Sequence, residues 1–88
     1  MESVIYSNVE SYEGTATTSV SQTLSLYSRK LVVTNDSGSN NLSFYPKGSA
    51  SGTKITLKPT ETITLDRFST NVVTVSSTNA EYRVWVFG

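Results

Sequence analysis

Cysteine and histidine are both missing from this 88-residue chain. Without cysteine there are no disulfide staples, thiolate zinc sites or thiol nucleophiles. Without histidine the Ser-His-Asp triad, imidazole metal ligands and the side chain best suited to acid–base work near neutral pH are excluded as well. An excess of one charge is also lacking, since seven Lys and Arg balance seven Asp and Glu. Domains that coat nucleic acid draw most of their affinity from phosphate neutralisation and carry a basic excess, so nucleic acid is not an expected partner. No apolar run approaches the roughly eighteen residues of a membrane span, and no membrane partner is expected. The N-terminus, Met1-Glu2-Ser3-Val4-Ile5-Tyr6-Ser7, has neither the basic start nor the apolar run of a secretion signal, so none is expected there.

What is present is strand and turn material. Fifteen Ser and thirteen Thr fill about a third of the chain, with ten Val against three Ala. β-Branched and aromatic residues suit a pleated, half-buried surface, while Ser, Asn and Gly supply turns. The length allows one hydrophobic core and therefore one domain.

From Arg29 onward, short runs alternating with period two are separated by turn clusters, which argues for a sandwich or barrel. Strands are expected over residues 30–34, 41–45, 54–58, 62–66, 71–76 and 81–87. The polar stretch 35–40 reads as a turn or exposed loop, and Pro46 stops the run before it. Residues 54–58 and 62–66 flank Pro59-Thr60-Glu61 and read as a hairpin, with Ile55, Leu57, Ile63 and Leu65 on a shared buried face. In the last run Tyr82, Val84 and Val86 alternate with Arg83, Trp85 and Phe87. Both faces are bulky, so this strand is expected at the centre of a sheet or covered on both sides. No helix is expected, beyond a short turn over residues 66–70.

The first twenty-two residues differ. Val4, Ile5, Tyr6, Val9 and Tyr12 are isolated among Ser, Thr and Glu, and residues 13–19 have almost nothing to bury. Residues 4–6 suit a strand, residues 13–19 should be mobile or extended, and an amphipathic strand is expected over residues 20–27. The expected organisation is an N-terminal arm over 1–22 and a single β-domain over 23–88.

Chemistry-bearing constellations are sparse. The carboxylate pairs Glu61 with Asp66 and Glu10 with Glu13 are the only acid–base equipment, and they read more simply as solvated turn and strand residues. The stretch Asn35-Asp36-Ser37-Gly38-Ser39-Asn40-Asn41 has one carboxylate, too little charge for a strong calcium loop, and reads as a turn held by Asx hydrogen bonds. Asn35-Asp36-Ser37 and Asn41-Leu42-Ser43 match the glycosylation acceptor by the frequency of Ser alone. No catalytic, cofactor-binding or metal site is expected.

The aromatics carry the remaining signal. Tyr45, Phe68, Tyr82, Trp85 and Phe87 suit a stacking platform or the apolar centre of an interface, with core packing the simpler reading for Tyr82 and Phe44. Arg83, Trp85 and Phe87 share strand parity, a composition enriched at interaction hot spots, and equally suit packing beneath the N-terminal segment of the same chain. A polar arm ahead of a small domain either remains disordered or gains partners by adding a strand to a neighbouring subunit. The candidate interface residues are therefore Val4, Ile5, Tyr6, Val9, Tyr12, Arg83, Trp85 and Phe87.

The runs Leu31-Val32-Val33-Thr34-Asn35, Asn41-Leu42-Ser43-Phe44, Thr56-Leu57-Lys58-Pro59-Thr60-Glu61-Thr62-Ile63-Thr64-Leu65-Asp66 and Tyr82-Arg83-Val84-Trp85-Val86 are spread over about sixty residues. In that pattern the chain resembles small β-sandwich virion proteins of tailed phages, of the head-decoration and tail-accessory type. The Leu-Lys-Pro-Thr-Glu-Thr step is similar to a turn common to many sandwiches, with Thr60 where Gly is usual. The resemblance implies a non-enzymatic structural protein of the virion, whose partners are further copies of itself and other virion proteins. It assigns no functional residue. The expectation is an all-β, small antiparallel β-sandwich, jelly-roll-like or immunoglobulin-like, with an extended N-terminal arm. A carbohydrate-binding module stacking a surface glycan on Trp85, Tyr45 or Tyr82 is the second expectation.

Overall fold

The computed structural model describes residues 5–48 and 52–88. Among the described residues eight strands form: β1 (Val9–Ala16), β2 (Ser19–Thr23), β3 (Lys30–Asn35), β4 (Leu42–Tyr45), β5 (Ile55–Leu57), β6 (Thr62–Asp66), β7 (Val72–Ser76) and β8 (Ala80–Phe87). They make two four-stranded sheets with orders β1-β8-β3-β6 and β2-β7-β4-β5, and every pair is antiparallel. The pairs β1/β8, β2/β7, β3/β6 and β4/β5 nest one inside the next, as when a single long hairpin is folded over on itself. That nesting distinguishes the jelly roll from the immunoglobulin order within the expected sandwich class.

The alternation of Val, Leu and Phe with polar residues sets which side of each strand is buried. Leu31, Val33, Val84 and Val86 from one sheet meet Leu42, Phe44, Leu57, Val73 and Val75 from the other, all essentially without solvent exposure. Each such side chain contributes roughly 1.5–3 kcal/mol of burial energy. Strand β8, expected at a sheet centre, lies between β1 and β3.

The hairpin expected over 54–66 does not form. Ile55–Leu57 pairs with β4 in one sheet, and Thr62–Asp66 pairs with β3 in the other. Ile55, Leu57, Ile63 and Leu65 do face one core, but from opposite sheets. The link is a tight turn: Glu61 N–H donates to Lys58 O at 3.0 Å, and Thr60 takes φ 68°. A short turn signals reversal of the chain but not whether the returning strand pairs locally, and here the long-range partner β3 wins.

Residues 9–23, expected within or beside a mobile or extended arm, are extended as β1 and β2, at the edges of the two sheets. The half of their backbone groups that faces the sheets is satisfied by β8 and β7, which explains how a segment with little to bury joins the sandwich. The strand expected over 20–27 ends at Thr23, and Leu24 and Leu26 pack from the following crossover. Two crossovers are stitched at Ser28, whose hydroxyl donates to Phe68 O at 2.5 Å and accepts from Thr70 N–H at 3.0 Å. No strand forms at Ile5 and Tyr6, and Val4, the first residue of that expected strand, lies outside the described residues.

Candidate functional site

Alternation along β8 puts Tyr82, Val84 and Val86 inward and Arg83, Trp85 and Phe87 on the outer face of the β1-β8-β3-β6 sheet. Register supplies their neighbours, because residues directly opposite in an antiparallel pair share a face. Across the sheet, Val9, Phe87, Lys30 and Asp66 form one row, and Ser11, Trp85, Val32 and Thr64 the next. Glu13, Arg83, Thr34 and Thr62 form the third.

Trp85 is half-buried at the middle of this face. The Arg83 guanidinium carbon lies 4.9 Å from the indole centre, and Lys30 Nζ lies 5.2 Å from the centre of the Phe87 ring. Such cation–ring contacts are worth about 0.5–1 kcal/mol at exposed sites. Arg83 is fixed from its other side by Asp36, with Nε donating to Oδ2 at 2.7 Å and a terminal nitrogen to Oδ1 at 2.9 Å. That bidentate bond, supported by the charges of Asp36 and Glu13, raises the Arg83 pKa above its ordinary value against a lesser opposing effect of desolvation.

The expected interface residues divide. Tyr6 packs on Phe87 with ring centres 5.6 Å apart, and Ile5, itself exposed, has its carbonyl bonded by Arg29 at 2.9 Å. Val9 stands on the edge opposite Phe87 and is 59% exposed. Tyr12 does not join them: it points inward, donates to Glu10 Oε1 at 2.8 Å and accepts from Ser25 N–H. Val4 is outside the described residues. Lys30, Val32 and Asp36 belong to the patch and were not singled out from sequence. The alternation of Lys30 and Val32 against Leu31 and Val33 carried the face, but nothing local told which strand lay beside β8.

The aromatic platform is not assembled as one surface. Tyr82 and Phe44 are core, Tyr45 is on the other sheet, and Phe68 lines a cleft of about 300 Å³ with Pro46, Lys47, Gly52 and Thr53. The carboxylate pairs also diverge. Glu10 and Glu13 have opposite parity on β1, while Glu61 accepts the Lys58 N–H at 2.7 Å at one end of β6 and Asp66 closes the other. Hydrogen bonds from Ser25 and then Tyr12 hold the Glu10 carboxyl below the usual range.

In the 35–41 loop Asn35 forms the expected Asx turn, accepting Ser37 N–H at 3.0 Å. Its amide is wholly buried and donates to the carbonyls of Asn40, Leu57 and Lys58 at 2.8, 3.1 and 3.2 Å, so the acceptor motif there is closed to a glycan in the folded chain. Among the described residues no cluster of three or more carboxylates is placed to hold a metal, and no helix is long and apolar enough to cross a membrane. No family model, curated protein or solved structure matches the chain.

Proposed function

We propose that the chain is a non-enzymatic structural protein of a phage virion, which self-associates and attaches to other virion proteins as a head-decoration or tail-accessory subunit. The observation that carries the binding role is the Arg83, Trp85 and Phe87 stripe with Lys30 and Val32 on the outer face of one sheet. Trp and Arg are the residues most enriched where protein interfaces concentrate their energy, and an extended sheet face suits a protein surface better than a small molecule. The virion assignment rests on the pattern resemblance of the strands and is compatible with a jelly-roll sandwich, an architecture used by capsid proteins and lectins alike.

The test is sedimentation of the purified chain with particles of the phage that encodes it, alongside its absolute mass in solution by light scattering. An oligomer that co-sediments, and a Trp85→Ser variant that folds but stays in the supernatant, are the expected results. A monomer that ignores the particles overturns the reading. The second reading, a glycan-binding module, is favoured by Ser11 and Thr64 lying in the same row as Trp85, where hydroxyls flank an aromatic ring. It requires the tryptophan fluorescence to shift with one of a panel of polysaccharides.

A further inference from the structure

We infer that the edge of β1, unpaired among the described residues, is the self-association surface, pairing antiparallel with β1 of a second copy about a two-fold axis at Tyr12. The inference rests on the self-association in the proposed function and names its partner and register.

Four strands are sheet edges: β1 and β6 in one sheet, β2 and β5 in the other. Natural edges are blunted by short length, Lys, Pro or bulges. Strand β5 has three residues between Lys54 and Lys58-Pro59, and β6 ends at Arg67, whose φ is 55°. Strand β2 has five residues, whereas β1 has eight, with no Lys, no Pro and an unbroken register from Val9↔Phe87 to Ala16↔Ala80. β1 is thus the longest edge, without Lys, Pro or a bulge, and its two charges are both engaged within the chain, Glu10 by Ser25 and Tyr12 and Glu13 opposite Arg83.

The hydrogen-bond phase shows what this edge presents. Asn8 and Gly88 exchange both backbone bonds, at 3.1 and 2.9 Å. Alternation from that pair directs Glu10, Tyr12, Gly14 and Ala16 toward β8, and turns the N–H and C=O groups of Val9, Ser11, Glu13 and Thr15 outward. All four outward residues are exposed.

The sequence of β1 selects a second copy and one register. An axis at Tyr12 opposes Val9 to Thr15 and Ser11 to Glu13 of the other copy, twice each by symmetry, so all four outward residues pair and each carboxylate meets a hydroxyl. Moving the axis to Glu13 sets Glu13 on Glu13, and moving it to Ser11 sets Val9 against Glu13. Charge does not oppose the approach: Glu13 already faces Arg83 within its own sheet, and Glu10 is bonded to Ser25 and Tyr12. The neighbouring edge, β2, is Ser-Val-Ser-Gln-Thr and carries no charge. The product is one eight-stranded sheet, β6-β3-β8-β1 continued through the partner's β1, with the two Trp85 faces on the same side.

The test is the dissociation constant of the full chain by sedimentation velocity, with thermal unfolding as the check that each variant folds. Ser11→Pro removes an outward N–H and leaves the β8 ladder intact, so it should give a folded monomer. Thr64→Pro, at an outward position of the opposite edge, β6, should leave the oligomer unchanged. Ser11→Glu places a like charge against Glu13 of the other copy twice, and should weaken association by about fivefold to tenfold. Ser11→Lys should strengthen it by a similar factor, although lysine at an edge ordinarily blocks pairing. A wild-type monomer at high micromolar concentration overturns both the inference and the self-association beneath it. An oligomer indifferent to Ser11→Glu and Ser11→Lys overturns the β1 edge alone and leaves self-association standing.

Discussion

Tyr82 closes against Gly14 across the β1–β8 pair: a Cβ added to Gly14 would lie 3.0 Å from the Tyr82 hydroxyl oxygen and 3.3 Å from Cζ. The two residues are directly opposite in register on the inward side of the strand pair, Tyr82 buried and Gly14 still exposed to solvent. The glycine leaves room for the end of the aromatic ring without a bulge in β1.

That contact predicts a sign change. Gly14→Ala should destabilise by about 1 kcal/mol, because the forced shift of Tyr82 outweighs the entropy gained by losing a glycine. In a Tyr82→Phe background the closest clash is gone, and the same Gly14→Ala change should become neutral or stabilising. Urea unfolding of the four proteins checks it, and additive effects would contradict the packing account.

Asn35 predicts a larger loss. Its amide group serves three carbonyls from two loops and β5 at a site with no solvent exposure. Asn35→Asp replaces donors by an acceptor beside those carbonyls and should cost about 3 kcal/mol or more at neutral pH. Asn35→Ala, which leaves the carbonyls unpaired without adding charge, should cost less. Denaturant midpoints at pH 7 distinguish the two.

How much of this was legible depends on range. The period-two runs marked six strands near their observed places, and the β8 alternation located Tyr82 inside and Trp85 outside once a core face was chosen. Asn35 was legible as a turn residue but not as a buried one, because its three acceptors come from residues 40, 57 and 58. The same limit explains β5 and β6. Their inward pattern is identical whether they pair with each other or with β4 and β3, so alternation alone favours the shorter connection. Edge strand β1 was the least visible, since the strand it pairs with is β8, sixty-four or more residues later in the chain.

Glu10 predicts an acid limb. Its carboxyl accepts from the Ser25 and Tyr12 hydroxyls, which tie the β2–β3 crossover to β1 and lower its folded pKa. A folded value below the unfolded one of about 4.3 contributes stability above that pH, and the contribution is lost as pH falls through the folded value. The difference in unfolding midpoint between wild type and Glu10→Gln should therefore be constant at neutral pH and vanish on acidification. A difference that persists at acid pH would place its origin elsewhere than in ionisation.

Thr60 sits at φ 68°, a conformation that a β-branched residue adopts only under strain. The Lys58-to-Glu61 turn, with Pro59 before it, is the type that places Gly at this position. Thr60→Gly should stabilise by about 0.5–1 kcal/mol, the relief of left-handed strain less the added freedom of glycine in the unfolded chain. Thermal unfolding reads the gain. A loss would mean that the Thr60 hydroxyl, which donates to Pro59 O at 2.6 Å, matters more than the backbone.

Asp36 positions Arg83 over the only tryptophan, which turns an ordinary surface ion pair into a reporter. Both partners are partly exposed, so the pair itself adds little to stability. Asp36→Ala should leave unfolding nearly unchanged yet release the guanidinium from the indole, changing Trp85 emission and its quenching by acrylamide. Arg83→Ala should produce the same spectral change without further effect from Asp36→Ala, because both act through one contact. Additive spectral changes in the double variant would show that Asp36 does not act on Trp85 through Arg83. The surface offered to a partner would then be set by the indole alone.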